Sequence, residues 1–341
     1  MNRAFMRAAL GATLGLLVLA AAAAQAETVD FKGKTVTVSI GYGAGGSYDV
    51  YGRLVARYFG RYLPGNPTVV AQNMTGAGSL TLANYLYNVA PKTGAALGVI
   101  GQTIPVDQLL DGKGMNFKSD KFVWVGRMAS GVETVASWHT TPVKTIEDAK
   151  SNQITIAATG PSSGSAVYPV LLNNLIGTKF KVIRGYAGTK EMLLAMEREE
   201  AGGCGAINVS TLTSQFADWM KDKKINVLAQ ISVSRHPAIP DVPTIVDLAK
   251  NADDQKVMKL FAVSGDVGRA LTAPPDLSPE VTKVLRTSFM NMMKDQELLA
   301  YAKKSNIDIE PMSGEELQKL VEEVGTYPKS VIERAIHAKE G

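Results

Sequence analysis

Residues 34–49 have the sequence KTVTVSIGYGAGGSYD, in which an alternating β-branched segment is followed by a glycine-rich loop. The first seven residues predict a strand, because β-branched residues at alternate positions suit a half-buried pleated surface. A helix is expected to follow over residues 49–63. The order of strand, small-residue loop and helix recurs, with a strand at 68–72 and a helix at 80–89. This alternation predicts βαβ units, a parallel sheet and therefore an α/β fold.

The middle of the chain repeats this pattern, and the last third is predicted to be helical. A second α/β unit is expected over roughly residues 128–235, with a strand at 153–158 and a helix at 166–176. Residues 278–280 (Ser-Pro-Glu) have the composition of a helix start. Residues 313–316 match a capping box, Ser to Glu. The chain length and the two units together favour two domains.

The first 26 residues predict a cleavable secretory signal. Arg3 and Arg7 precede an apolar stretch over residues 8–24, and residues 24–26 (Ala-Gln-Ala) match a small-residue cleavage site. A permanent N-terminal membrane helix is the alternative, although the alanine-rich end of the stretch is only weakly apolar. We expect cleavage after Ala26 and a soluble mature chain in the periplasm.

The composition argues against several classes of protein. The formal net charge of +4 falls to +2 without Arg3 and Arg7, which gives no case for a nucleic-acid partner. Cys204 is the single cysteine, so no intramolecular disulfide can form, and its two glycine neighbours favour a structural role. The three histidines are scattered without metal-ligand spacing. We therefore predict no metal and no cofactor.

Three loops rich in Gly, Ser and Thr each lie between a predicted strand and a predicted helix, at residues 41–49, 73–79 and 159–165. Small residues allow a ligand to approach the backbone, and the first N–H groups of the following helix then face it with the positive end of the helix dipole. In open α/β sheets, ligands bind beyond the carboxyl ends of the strands, where these loops lie. The pattern predicts a cleft for a carboxylate or another small anion, although such loops also simply end strands and cap helices.

Two enzyme interpretations need to be considered. Gly41, Gly43 and Gly46 match the G-x-G-x-x-G dinucleotide pattern, but the next predicted strand ends in Gln72-Asn73 where an acid is needed for the ribose. The sequence has no G-x-S-x-G, H-E-x-x-H or C-x-x-C motif. Asp49 is a candidate catalytic base, although an acid in the first turn of a helix is more simply a cap or a dipole partner.

Several larger side chains near the loops have both a binding and a packing interpretation. Arg184 could pair with a ligand carboxylate or be an ordinary surface residue. Tyr42, Tyr48 and Tyr186 could form the wall of a pocket or pack in the core. Trp124 and Trp138 are expected in the core.

At these loops the sequence resembles the solute-binding receptors of tripartite tricarboxylate transporters, the Bug family. Residues 45–49 (GGSYD) with Arg53 match the first glycine loop of the family, and residues 69–78 (VVAQNMTGAG) match its second loop. Residues 235–244 (RHPAIPDVPT) nearly repeat a later family motif. The resemblance extends over essentially the whole mature chain.

The sequence departs from the family pattern in the first two loops, near residues 208–210, and over residues 261–268, where the usual aromatic segment before a later Ala-Pro motif is altered. The proline that precedes the first glycines in the family is replaced, and Ser79 stands for the second glycine of G-A-G-G. An acid of the family near residues 208–210 is absent, with Asn208 and Ser210 in its place. The ligand therefore stays open among dicarboxylates, tricarboxylates and aromatic carboxylates.

The resemblance implies a two-domain, type II, flytrap-like periplasmic binding protein with its ligand cleft between the domains. Domain I would comprise residues 27–127 and 236–341, and domain II residues 128–235, with hinges near 127–130 and 232–235. A membrane permease would be the partner of this monomeric receptor. The alternatives are a secreted α/β enzyme acting on a small acid and a sensor that feeds a signalling partner.

The residues that we predict to bind the ligand come from the loops and from the ends of the strands, with Gln102 following a strand that is predicted at residues 96–100. The full predicted set is Tyr42, Ser47, Tyr48, Asp49, Gly76, Ala77, Gln102, Thr159, Ser162, Ser163, Ser165, Arg184, Tyr186 and Asn208. No catalytic residue is predicted.

Overall fold

The computed structural model describes residues 29–110 and 112–340. The predicted signal peptide, residues 1–26, lies outside the described residues. The described strands form two separate sheets. In chain order the strands are β1 (Thr35–Ile40), β2 (Thr68–Asn73), β3 (Ala96–Val99), β4 (Val123–Arg127), β5 (Glu133–Trp138), β6 (Ile154–Ala158), β7 (Phe180–Arg184), β8 (Gly203–Asn208), β9 (Ile225–Ile231), β10 (Ala270–Ala273) and β11 (Met312–Ser313).

The first sheet has the strand order β11-β4-β10-β3-β1-β2. Strand β1 is parallel to both β2 and β3, which confirms the predicted βαβ arrangement at this end of the sheet. Strand β10 enters from far along the chain and runs antiparallel to β3 and β4. The sequence pattern does not predict β10, because a four-residue apolar run has no periodicity that separates a strand from a helix.

The second sheet has the order β7-β6-β8-β5-β9. Strand β6 is parallel to β7 and β8, as βαβ units require. Strand β5 is antiparallel to both of its neighbours, β8 and β9, so the sheet is mixed. Both sheets thus combine a parallel part, whose strand ends carry the loops, with an antiparallel strand that connects the two halves of the molecule.

The predicted helices begin near their predicted positions, but the first ends at Tyr58 and not at residue 63. The hydroxyl of Ser278 accepts the Val281 N–H at 3.2 Å, and Ser313 and Glu316 form the predicted capping box. The helices are α1 (Ser47–Tyr58), α2 (Leu80–Asn88), α3 (Ile104–Leu110), α4 (Asp148–Ser151), α5 (Gly164–Ile176), α6 (Thr189–Glu197), α7 (Val209–Ser214), α8 (Ala217–Lys221), α9 (Ala252–Val267), α10 (Pro279–Met292), α11 (Gln296–Lys304), α12 (Gly314–Val324) and α13 (Lys329–Lys339). Among the described residues, no helix is long and apolar enough to cross a membrane.

Each sheet packs against its own apolar core. One core joins β1 and β3 to α1 and α10, with Phe289 fully buried. The other joins β6 and β9 to α5, and it continues onto α9 and α13 through Phe261 and Val331. These two C-terminal helices therefore pack beside the second sheet, although the predicted division places their residues in domain I. The division itself stays a prediction.

The predicted core residues are buried. Trp124 is fully buried and Trp138 is 5% exposed. Cys204 lies in the apolar cluster beside Met192, and burial raises the pKa of its thiol to about 12. A thiol with such a pKa is not a nucleophile at neutral pH, so the structural interpretation of Cys204 agrees with its surroundings.

Candidate functional site

A small cavity, which we call the inner cavity, lies where the loops of the two sheets meet. The centre of a water molecule can occupy a volume of about 20 Å³ inside it. That is room for about one water molecule. It is lined by Tyr42, Tyr48, Thr103, Glu133, Thr159, Ser163, Gly164, Ser165, Thr189, Met192 and Ala206.

A larger depression, which we call the outer groove, adjoins the inner cavity and shares Tyr42 and Thr159 with it. The volume that the centre of a water molecule can occupy in the groove is about 480 Å³. Loops from both sheets form its walls. The lining residues are Gly41, Tyr42, Thr75, Gly76, Ala77, Gly78, Thr159, Gly160, Pro161, Arg184, Gly185, Tyr186 and Ala187.

The two halves touch directly at the mouth of the inner cavity. The Gly43 N–H donates to the carbonyl of Ala187 at 3.2 Å, and the Thr103 hydroxyl donates to the carbonyl of Ser162 at 3.0 Å. A Cβ atom on Gly160 would lie only 2.2 Å from the Gly78 nitrogen, so this contact requires glycine. The structure is therefore a closed arrangement of the two halves.

The loop before α5 lines the inner cavity with hydroxyl groups. The Ser163 and Ser165 oxygens are 2.7 Å apart, and the Ser163 hydroxyl also donates to the Gly160 carbonyl at 2.8 Å. The Ser165 oxygen accepts the Thr159 N–H at 3.0 Å. These bonds hold the hydroxyls at the N-terminus of α5, where the first N–H groups have no partner within the helix. Hydroxyls and free N–H groups together suit a carboxylate.

The loop before α1 is held by Asp49. One carboxylate oxygen accepts the Gly45 N–H at 2.9 Å and Arg53 Nε at 2.8 Å, while the other accepts Asn73 Nδ2 at 2.8 Å. Burial alone would raise the pKa of Asp49, but these hydrogen bonds bring it below its ordinary value. The structural interpretation of Asp49 as a cap and dipole partner therefore agrees with its contacts, and its carboxylate does not line the cavity.

Two tyrosines stack to form one wall of the inner cavity. The rings of Tyr42 and Tyr48 are 4.2 Å apart at 25°. The Tyr48 hydroxyl accepts the Gln102 N–H at 3.2 Å. Burial raises the pKa of Tyr48 to about 12 and that of Tyr42 well above its ordinary value. Both phenols are therefore neutral, and the wall offers an aromatic surface with polar edges.

A buried ion pair lies behind this wall. Arg269, 1% exposed, stands 3.5 Å from the Glu133 carboxylate, and its guanidinium is 4.1 Å from the centre of the Tyr48 ring. Arg269 also donates to the Ser47 hydroxyl at 2.9 Å and to the Gln102 side chain. Glu133 begins β5 of the second sheet and Arg269 precedes β10 of the first. The pair therefore joins the two halves at the inner cavity, which Glu133 lines and behind which Arg269 lies.

The sequence did not predict a role for either member of this pair. Burial raises the pKa of Glu133, although Arg269 opposes that shift. Each residue is a single charge beside an apolar strand, and such a charge is a signal that sequence inspection could have used. Thr103, Gly164, Thr189, Met192 and Ala206 also line the inner cavity without having been predicted.

The predicted site residues fall into three groups. Tyr42, Tyr48, Thr159, Ser163 and Ser165 line the inner cavity. Gly76, Ala77, Arg184 and Tyr186 line the outer groove. The remaining five, which are not among the lining residues of either, are Ser47, Asp49, Gln102, Ser162 and Asn208.

These five residues have other contacts in the structure. Gln102 donates to the Gly131 carbonyl at 2.9 Å and binds Arg269. Asn208 caps α7 by accepting the Ser210 N–H at 2.9 Å, and its buried amide nitrogen has no partner among the described residues. Most of them thus support the cavity wall from behind. No cluster of three or more metal-ligating side chains occurs within the described ranges.

The chain is similar to proteins of known family and structure. The model of the "Tripartite tricarboxylate transporter family receptor" matches residues 55–336. A curated relative from Cupriavidus necator, "UPF0065 protein in gbd 5'region", is 26% identical and covers 98% of this chain and 97% of its own length.

Solved structures share the fold. MatC from Rhodopseudomonas palustris, with bound malate, has a TM-score of 0.68 at 19% identity, covering 90% of this chain and 99% of its own. Another R. palustris protein, Rpa4515 with adipate, has a TM-score of 0.70 at 17% identity, covering 90% and 98%. The periplasmic binding protein BugD has a TM-score of 0.69 at 20% identity, covering 89% and 97%. These likenesses confirm the predicted two-domain periplasmic binding-protein fold.

The family match extends over residues 55–336, most of the chain, and this range includes the second and third of the three small-residue loops. Receptors of this family are solute-binding proteins and not enzymes. The chain belongs to the family of tripartite tricarboxylate transporter receptors.

Proposed function

We propose that this receptor captures a small organic acid in the periplasm and delivers it to the membrane permease subunits of a tripartite tricarboxylate-type transporter. The observation that carries the proposal is the set of hydroxyls from Thr159, Ser163 and Ser165 at the N-terminus of α5, facing a cavity between the two sheets. Neutral donors and a helix dipole bind a carboxylate without a fixed countercharge.

The ligand class is supported by two proteins of the same fold, whose structures contain malate and adipate. Both ligands are small dicarboxylates, and a cavity edged by hydroxyls and neutral phenols suits such molecules. Tricarboxylates and aromatic acids stay within the proposal, because the aromatic wall of Tyr42 and Tyr48 could lie against a ring.

Binding would require the two halves to separate. The inner cavity has room for about one water molecule in this arrangement, which is less than any dicarboxylate occupies. We propose that domain I (27–127 with 236–341) and domain II (128–235) open near residues 127–130 and 232–235. The ligand would enter through the outer groove, and closure around it would form the surface that the permease recognises.

The predicted export signal and the family agree with a periplasmic location. We propose that the mature chain begins after Ala26 and acts as a soluble monomer. Size-exclusion chromatography with light scattering of the exported protein, together with sequencing of its N-terminus, tests both points. A mature N-terminus that retains residues 1–26 would contradict the export proposal.

Thermal-shift screening of the purified receptor tests the ligand class. A ligand that binds only the folded state raises Tm, by an amount equivalent to about 2.7 kcal/mol at a hundred times its Kd. We expect stabilisation by at least one dicarboxylate, tricarboxylate or aromatic acid. A protein that no organic acid stabilises, and that turns over substrates of a hydrolase or dehydrogenase panel, would overturn the proposal.

Ser163→Glu tests the position of the carboxylate. The new acid would fill the inner cavity and repel the ligand, so binding should be abolished while the far-ultraviolet spectrum stays native. Ser151→Glu adds the same charge at an exposed position at the end of α4 and should bind normally. Unchanged affinity in the Ser163 variant would remove the loop before α5 from the site.

A further inference from the structure

The inner cavity contains a charged group that a receptor for a simple carboxylate does not need. Glu133 lines this cavity together with the hydroxyls that we assign to the ligand carboxylate. Two like charges close together in a poorly solvated site repel each other. A ligand that merely presented a second carboxylate at this place would therefore bind poorly.

The two oxygens of Glu133 have different neighbours. Oε1 lies 3.5 Å from Arg269 Nη2, which is longer than an ordinary hydrogen bond. Oε2 lies on the other side, 2.7 Å from the position that a Cβ atom on Gly164 would occupy. Arg269 does not line the inner cavity, and its other nitrogens bind Ser47 and Gln102. The carboxylate is thus anchored from behind at one oxygen and presents the other to the first turn of α5.

The adjacent Arg269 guanidinium favours the ionised form of Glu133, and an ionised carboxylate can only accept hydrogen bonds. Its natural partner in the cavity is a donor on the ligand, and an ammonium or hydroxyl group supplies one. Gly164 lies between Ser163 and Ser165, whose hydroxyls are proposed to hold the ligand carboxylate. The donor must therefore be next to that carboxylate, on the adjacent carbon of the ligand.

We propose that Glu133 is a specificity-determining residue that selects acids with an ammonium or hydroxyl group on the carbon beside the bound carboxylate. This inference rests on the proposed function, because it assumes that a carboxylate binds at the start of α5. It narrows the ligand class to 2-amino and 2-hydroxy acids. Glycine at position 164 leaves room beside the Glu133 oxygen, because any side chain there would clash with that oxygen and with the Tyr168 ring.

Matched acids test this selection on the wild-type receptor by calorimetry. Each set differs only in hydrogen, hydroxyl or ammonium at the 2-position: propionate, lactate and alanine; succinate, malate and aspartate; glutarate, 2-hydroxyglutarate and glutamate; phenylacetate, mandelate and phenylglycine. Within the set that binds, at least one donor-bearing member should bind about tenfold more tightly than the unsubstituted acid, since a charge-assisted hydrogen bond contributes that much. The hydroxyl and ammonium members show which donor is used.

Glu133→Gln should reduce this preference to about threefold or less, because an amide is a weaker acceptor. The matched control is Asp254→Asn, another buried acid paired with an arginine, Arg334, on helices away from the cavity. That control should keep the wild-type preference. Glu133→Gln leaves Arg269 without its partner, so urea unfolding is measured on the same variant to show that it folds. If it does not fold, the affinities of the wild-type receptor for the matched acids test the role of Glu133.

The outcomes separate the two proposals. Equal affinity for substituted and unsubstituted acids overturns the role of Glu133 and leaves the carboxylate receptor standing. A preference that survives intact in a folded Glu133→Gln variant also overturns it. Binding of no acid from any of these sets overturns this inference, and the proposed function falls with it only if the thermal-shift screen of dicarboxylates, tricarboxylates and aromatic acids is also negative.

Discussion

The loops that precede α1 and α5 have similar compositions but different contacts. In the first loop, Asp49 is bound to Arg53 and Asn73, and Ser47 accepts a hydrogen bond from buried Arg269. In the second, Ser163 and Ser165 bond to each other and to the backbone of their own loop. The first loop is therefore fixed by charged groups, Asp49 and Arg53 of α1 and Arg269 from far along the chain, whereas the second keeps neutral hydroxyls at the cavity.

This difference assigns different tasks to two loops that look alike in sequence. The first loop supplies the aromatic wall of Tyr42 and Tyr48, which requires a rigid backbone behind it. The second supplies donors whose partners are weak neutral hydroxyls, which a carboxylate can replace. Substitutions in the first loop should therefore lower stability, and substitutions in the second should lower affinity.

The largest effect is expected from Arg269→Leu. Removing the guanidinium leaves the Glu133 charge buried without a partner, which costs about 3–5 kcal/mol. Urea unfolding followed by circular dichroism measures the loss. Arg334→Leu is the control, because Arg334 is half exposed and should cost less. A loss below about 1 kcal/mol for Arg269→Leu would contradict a supporting role for the ion pair.

Asp49→Ala should destabilise the protein by about 2 kcal/mol, because the Gly45 N–H and the Arg53 and Asn73 side chains lose a charged acceptor. Affinity should change much less than stability. Wild-type affinity for the ligand combined with unchanged urea stability would show that the carboxylate does not hold this loop.

The pH dependence of Asp49 has a definite sign. Its pKa is lowered in the folded protein. Its contribution to stability is therefore present above the unfolded value of about 3.9 and is lost as the pH falls through the folded pKa. Asp49→Asn should flatten this acid limb in urea titrations between about pH 5 and pH 2. An unchanged acid limb would show that groups other than Asp49 cause the loss of stability at low pH.

Replacing one serine in each loop by alanine should have smaller effects on stability and affinity, and the two variants can be compared directly. Ser47→Ala removes the acceptor of Arg269 Nε and should cost about 1 kcal/mol of stability. Ser163→Ala should change stability less and weaken ligand binding several-fold, because its hydroxyl lines the inner cavity. Unfolding and calorimetry on both variants compare the loops directly, and the reverse order would refute the division of tasks.

The smallest effect is expected from Arg184→Ala. This side chain is exposed at the outer groove. Its loss should leave stability within about 0.5 kcal/mol and should slow ligand association only at low salt, because exposed charges are screened. Stopped-flow binding at two ionic strengths measures it. A loss of affinity that persists in high salt would indicate direct contact with the ligand.

Much of the architecture could be predicted from local patterns. The alternation of Val36 and Val38 in β1 and the capping residues Ser278 and Ser313 are local signals, since each depends on neighbours within four residues. Strand β10 could not be predicted, because its four residues become a strand only by pairing with β3 and β4. The packing of α13 beside the second sheet likewise depends on distant contacts.

The candidate site was predicted in outline and not in detail. The loops around Tyr42, Gly76 and Ser163 were found because small residues after a strand are visible in the sequence. Glu133 and Arg269 were missed: a single charge beside an apolar strand is a signal of burial, but only the fold shows that these two charges lie together. Arg184 and Ser163 both looked like binding residues, and only the structure assigns Arg184 to the outer groove and Ser163 to the inner cavity.

The sequence by itself determined the α/β class, the predicted export signal, the three small-residue loops and the family, since all of these depend on local composition and order. Only the tertiary structure decided which loop is held by charges and which offers its hydroxyls. It also brought Glu133 from one sheet against Arg269 from the other. The physical reason is burial: a carboxylate or a guanidinium acquires its role from the partners that remain when water is removed, and those partners are distant in the chain.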